Sequence, residues 1–143
     1  MVVQFAVMAG VVVSGLVGPA WPDAVARPLS VVGAVLALLG GILAFTAARA
    51  LGGALTPFPR PRQGAGVVER GPYRVVRHPL YAAGALFLAG FSLAFSPVAL
   101  ALTVVLLAVW SLKVGVEERF LRELPGYAAY AERTRYRLVP FVY

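Results

Sequence analysis
From Leu80 to Leu112 the chain runs for 33 residues without a charged side chain. As one helix, such a run would be about 50 Å long, against a hydrocarbon core of about 30 Å. It is too long for one crossing and too apolar for water, so it must fold back. Pro97, in the stretch Phe95-Ser96-Pro97-Val98, marks the place. Proline has no N–H to donate and suits the first turn of a new helix. The run therefore predicts a helical hairpin with arms over 79–95 and 97–116.

Two more uncharged runs predict spans over 2–21 and 28–49, the second opening on Pro28. Ala24-Val25-Ala26 has the look of a signal-peptidase site. No basic residue precedes the first run, however, and it is long for a signal peptide, so it reads as a retained helix. Hydrophobic residues make up 60% of the chain and charged ones 13%. Soluble domains carry about 25% charged residues. The expected fold class is all-α: a polytopic membrane protein of about four transmembrane helices, with an interfacial C-terminal helix. One membrane domain, 1–143, would then hold a loop over 50–78 and a polar segment over 117–143. Ala6, Gly10, Ser14 and Gly18 repeat at four-residue spacing, as do Gly33, Ala37 and Gly41. These small-residue stripes predict close packing of the first two helices.

The charge pattern orients the chain. Of 13 basic residues, only Arg27 falls in the first connection and none at the hairpin tip. Arg49, Arg60, Arg62, Arg70, Arg74 and Arg77 lie between the second and third spans, and the rest at or after the last. Basic residues collect on the cytoplasmic side, so both termini are expected there, in a bacterial or archaeal plasma membrane. The net charge of +7 reflects these flanks and the anionic lipids they meet, not a nucleic-acid partner. With no cysteine and one histidine, neither a thiolate site nor a histidine-based metal site is expected.

The densest cluster is Arg70-Gly-Pro-Tyr-Arg-Val-Val-Arg-His-Pro-Leu-Tyr81. Gly71-Pro72 predicts a turn, and Pro79 places His78 at a helix N-cap. Arg77 offers a planar fork for a carboxylate and Tyr81 an aromatic face for a cation. Downstream, Glu117 and Glu118 end the last apolar run. Lys113 with Glu117 and Glu118 with Arg122 are spaced for ordinary helix ion pairs. Acids at a membrane mouth are also candidates for function. The hairpin brings its two ends to one membrane face, so both clusters could form one pocket. Leu124-Pro125-Gly126 predicts a break. Tyr127, Tyr130, Arg133 or Thr134, and Arg137 are then spaced for one face of an interfacial helix, or of a lid.

Residues 51–143, with Gly-Pro-Tyr, Arg-His-Pro-x-Tyr, paired Glu, Leu-Pro-Gly-Tyr-x-x-Tyr and Arg-x-x-Pro, resemble the isoprenylcysteine carboxyl methyltransferase-like membrane enzymes. Related patterns occur in phospholipid N-methyltransferases. The resemblance implies S-adenosylmethionine as cofactor and a lipophilic methyl acceptor: an isoprenylcysteine-type carboxylate, a phospholipid amine or another small lipid. It implies a cofactor site of Arg77, His78, Pro79, Tyr81, Gly84, Glu117 and Glu118, covered by Tyr127, Tyr130, Arg133 and Arg137. His78, Glu118 and Arg77 are its catalytic candidates. Many relatives have glycine two residues after the tyrosine of Arg-His-Pro-x-Tyr; here that residue is Ala83, followed by Gly84. An NADPH-dependent sterol-type reductase and a non-enzymatic lipid-binding subunit are the alternatives.

Overall fold
Pro97 does open a new helix. The computed structural model describes residues 2–54 and 66–140, which include five α-helices and no strand. They are α1 (Val2–Val17), α2 (Asp23–Leu51), α3 (Pro79–Phe95), α4 (Pro97–Leu121) and α5 (Tyr127–Arg133). The hairpin falls where Ser96-Pro97 placed it. Its second arm runs beyond residue 116, because Glu117 to Leu121 are good helix formers and carry α4 past the apolar run. By length and composition, α2 and α4 are able to cross a membrane; α1 and α3, at 16 and 17 residues, are shorter apolar helices. Arg60 and Arg62, expected in the loop over 50–78, lie outside the described residues.

Three further boundaries differ from expectation. The first span ends at Val17, before Gly18 and Pro19. The second begins at Asp23, which places Pro28 inside α2. Asp23 suits the positive end of the helix, while Pro28, the sixth residue of α2, has no N–H to give the Ala24 carbonyl. The last helix stops at Arg133, so Arg137 does not share its face. The backbone leaves the helix at Thr134 because residues 136 and 137 pair elsewhere, as described below.

The chain divides into two compact units. The first, Met1–Ile42 with Ala83–Trp110, is a packed set of apolar helices. The α2 stripe packs on α3 rather than on α1. A Cβ at Gly33 would meet the Gly90 carbonyl and lie 2.7 Å from Ala94 N; one at Gly40 would lie 2.8 Å from Ala83 O. A Cβ at Gly90 would likewise lie 2.5 Å from Gly33 O. Small residues on both helices let the two backbones touch. Gly41, the expected member of the stripe, faces open space, and Gly40 takes its place. On α1, Gly15 accommodates the Phe91 ring and Gly10 faces Leu102. Some polar groups inside this unit are paired, while the buried Ser96 hydroxyl has no partner among the described residues. Ser92 and Thr103 share a 2.8 Å hydroxyl contact, and Trp21 Nε1 donates to Ser92 O at 3.3 Å. Outward, Val31, Val35 and Leu38 of α2 are more than half exposed, as a lipid-facing surface requires.

The second unit, Leu43–Ala82 with Ser111–Tyr143, holds all the charged residues except Asp23 and Arg27. A 3-10 turn over Gly71–Arg74 follows the left-handed Gly71, φ 58°. Arg70 Nε ties the turn to the end of α2 through Ala50 O at 2.8 Å. His78 then caps α3: its carbonyl accepts from Tyr81 N and Ala82 N at 3.1 and 3.2 Å. Residues 77 and 78 also pair sideways. Their N–H groups donate to Tyr136 O and Arg137 O at 2.9 and 2.8 Å. These two bonds hold the C-terminal segment to the start of the hairpin.

Candidate active site
Glu118 is the centre of the second unit. Its side chain is 4% exposed, and three donors converge on Oε1: Arg77 Nε at 2.9 Å, His78 Nε2 at 2.8 Å and Tyr127 O–H at 2.9 Å. Each donor comes from a different piece of local structure. Arg77 follows the 3-10 turn over Gly71–Arg74, His78 caps α3, and Tyr127 opens α5 after Gly126, whose φ of 82° suits glycine. The expected Glu118–Arg122 pair gives way to a partner 41 residues away. The other oxygen, Oε2, is buried with no hydrogen-bond partner among the described residues.

Arg77 does two things at once. Nε meets Glu118, while Nη1 reaches the carbonyls of Ala131, Thr134 and Arg135 at 3.3, 3.0 and 3.2 Å. Those carbonyls end α5, where a cation opposes the helix dipole. Glu117 accepts from Tyr81 O–H at 2.7 Å and lies 3.9 Å from Lys113. Lys113 Nζ also sits 5.5 Å from the centre of the Tyr81 ring, so that face does receive a cation. The Tyr127 phenol is raised above its ordinary range, first by burial and then by the Glu118 charge, and so stays a donor.

The structure brings together Arg77, His78, Tyr81, Glu117, Glu118 and Tyr127, with Pro79 fully buried beside them in sequence. Tyr130 is one step removed: its O–H donates to Tyr73 O at 2.7 Å and its ring meets Tyr127 edge-on. Arg137 takes part through its backbone carbonyl. Gly84 belongs to the other unit, where the Trp110 ring fills the space of its missing Cβ.

The phospholipid methyltransferase family model (PEMT) matches residues 29–128, well over half of the chain. The chain belongs to the phospholipid methyltransferase family. This family member is thus a membrane methyltransferase acting on a lipid-type substrate, which decides against the reductase and the non-enzymatic subunit. The match takes in every residue on Glu118 and stops before Tyr130, Arg133 and Arg137. No curated protein matches the chain.

Two contacts of this methyltransferase family member escaped the sequence reading. The carbonyls that receive Arg77 carry no residue signature, since any residue supplies one. Glu69 is the other: it takes Arg133 Nη2 on both oxygens, at 2.9 and 2.7 Å. Both side chains are largely exposed, 43% and 59%, so the pair contributes about 0–1 kcal/mol or less in salt. Arg133→Ala is expected to move the thermal midpoint of detergent-purified protein by no more than about 2 °C. A shift several times larger would show that the pair is a principal fastening of α5.

Proposed function
We propose that this membrane methyltransferase takes its methyl group from S-adenosylmethionine, bound at the Glu117–Glu118 cluster, and passes it to a lipophilic acceptor. The observation that carries the reading is Glu118 Oε2, an anionic oxygen buried without a partner. A buried acceptor of this kind costs about 1–3 kcal/mol until a donor reaches it. The cofactor brings suitable donors in its ammonium and ribose hydroxyls. When bound, it supplies an electrophilic methyl on a sulfonium.

The rest of the assignment follows from residue types. Glu117 and Glu118 hold the cofactor's ammonium and ribose hydroxyls. Arg77, bonded through Nε and Nη1, meets the carboxylate with Nη2. The Tyr81 ring takes a cation on its face, as it does from Lys113. Tyr127 orients Glu118, Tyr130 and the backbone of Arg137 hold the cover in place, and Arg133 lies on it, paired with Glu69. Methyl transfer requires alignment of donor and acceptor above all, so a site of fixed side chains suits it. Four crossings, one membrane domain and cytoplasmic termini complete the reading: a water-soluble cofactor arrives from the cytoplasm and the lipid from the bilayer.

Calorimetry on detergent-purified protein tests it. Saturable S-adenosylmethionine binding is expected, weakened about 10- to 100-fold in Glu118→Gln, the loss for a hydrogen bond to a charged group. Equal affinity in the variant would remove Glu118 from the site. Binding of NADPH in place of S-adenosylmethionine would overturn the reading.

A further inference from the structure
Resting on the donor site proposed above, we infer that Lys113 and the donor's cation share one seat, and that the lysine yields it when the donor binds. Lys113 and Glu117 stand one turn apart on α4, a spacing that usually marks an ion pair on an exposed helix face. Here both side chains are withdrawn from water, at 17% and 15% exposed. Lys113 Nζ is 3.9 Å from Glu117 Oε1 and 5.5 Å from the centre of the Tyr81 ring. The Tyr81 phenol donates to that same Oε1 at 2.7 Å. Ring and carboxylate are therefore joined, and together they form a receptor for a cation. The donor's ammonium and sulfonium call on the same two groups.

The two cations of the cluster are held differently. Arg77 is bonded through Nε to Glu118 and through Nη1 to three carbonyls, so it stays. Lys113 lies at the outer edge of an ion pair with Glu117, past the roughly 3.2 Å reach of an N–H···O hydrogen bond. Its flexible four-carbon stem can carry the ammonium out to the headgroup layer.

Charge decides the exchange. Arg77 and Lys113 face Glu117 and Glu118. With the imidazole of His78 and the phenols of Tyr81 and Tyr127 neutral, these side chains have no net charge. S-adenosylmethionine carries a carboxylate, an ammonium and a sulfonium, one net positive charge. Beside a seated Lys113 it would leave that charge unmatched in a site largely shielded from water, which is costly. With the lysine withdrawn, Arg77 and the donor balance the two carboxylates. The demethylated product is a thioether without net charge, and it leaves the cluster neutral with Lys113 in its seat. The lysine therefore weighs against the donor and not against the product, and it keeps Glu117 matched between turnovers.

Lys113 is the only lysine in the chain, so its reactivity can be read without ambiguity. Detergent-purified protein is acetylated and the peptide holding Lys113 followed by mass spectrometry. Modification is expected to run several-fold faster with saturating S-adenosylmethionine, and to change little with S-adenosylhomocysteine. An equal or slower rate with the donor means that the lysine stays in place, and overturns the inference. Calorimetry gives a second reading. Lys113→Met should bind S-adenosylmethionine about 10-fold more tightly than the wild type, the scale of one desolvated cation–aromatic contact, with no such gain for S-adenosylhomocysteine. Lys113→Arg keeps a cation and should hold the ratio of the two affinities within about 3-fold of the wild type. Weaker donor binding or an unchanged ratio in Lys113→Met overturns the inference, while donor binding that Glu118→Gln weakens leaves the donor site standing. Absence of S-adenosylmethionine binding to the wild type overturns the donor site, and this inference with it.

Discussion

Arg77→Met should release the C-terminal segment and cost about 3–5 kcal/mol of stability, the range for removing one partner of a buried ion pair. The guanidinium is 8% exposed on its side chain and bonds both Glu118 and the carbonyls of Ala131, Thr134 and Arg135. Methionine fills a similar volume but makes none of those bonds. Glu118 keeps His78 and Tyr127 but loses its fixed positive partner, and three carbonyls at the end of α5 lose their shared donor. Arg77→Lys should recover less than half of the loss, since one ammonium cannot span what Nε and Nη1 reach separately. Hydrogen exchange at the N–H groups of Arg77 (or its replacement) and His78, which donate to Tyr136 O and Arg137 O, reads the result directly. Fast exchange there in the methionine variant is expected. Unchanged protection would mean that the two backbone bonds hold the segment alone.

Gly90→Val should be comparably severe for a different reason. A Cβ at residue 90 would lie 2.5 Å from Gly33 O and 3.0 Å from Ala37 Cα. Both are backbone atoms of α2, so no rotamer change relieves the overlap and two helices must separate. Overpacking in a well-filled core costs about 1–3 kcal/mol, and a backbone contact lies at or above the top of that range. Gly41→Ala is the matched control. Nothing lies within 4 Å of a Cβ there, and alanine favours the helix by about 1 kcal/mol. Thermal unfolding of the purified proteins should show Gly90→Val far below the wild type, or unrecoverable, and Gly41→Ala at or above it. A Gly90→Val protein as stable as the wild type would remove the α2–α3 backbone contact as a determinant of this unit.

The hairpin could be read from the chain because two strong rules meet at one residue. An uncharged run well beyond the length of one crossing must turn, and only Pro97 lies at its middle. The cluster was legible for a similar reason, since Arg77, His78, Glu117 and Glu118 flank the ends of that hairpin, and the turn returns those ends to each other. Which atoms meet was not legible. Glu118 had a plausible partner four residues on in Arg122, and helix spacing alone favours that pair. Burial reversed the choice: an anion withdrawn from water needs several donors, and one exposed arginine just past the end of its helix supplies too few.

Elsewhere the local signals were ambiguous in ways that only packing resolves. Stripes of small residues show that a helix face can be approached, not which helix approaches it, and α2 met α3 instead of α1. One position separated the expected Gly41 from the observed Gly40. Tyrosines and arginines at helical spacing predicted a longer last helix than forms. Its backbone stops at Arg133 because the carbonyls of residues 136 and 137 accept hydrogen bonds from residues 77 and 78, which a continued helix would not allow.

By itself, then, the sequence determined the class of molecule, the turn at Pro97 and the kinds of side chain gathered at the hairpin's ends, because hydropathy, charge and proline geometry act over a few residues. The tertiary structure alone decided that Arg77, His78 and Tyr127 share one oxygen of Glu118 and leave the other bare. That choice depends on desolvation and on donors brought to α4 from two separate segments, residues 77–78 and the start of α5, and neither is a property of any one stretch of chain.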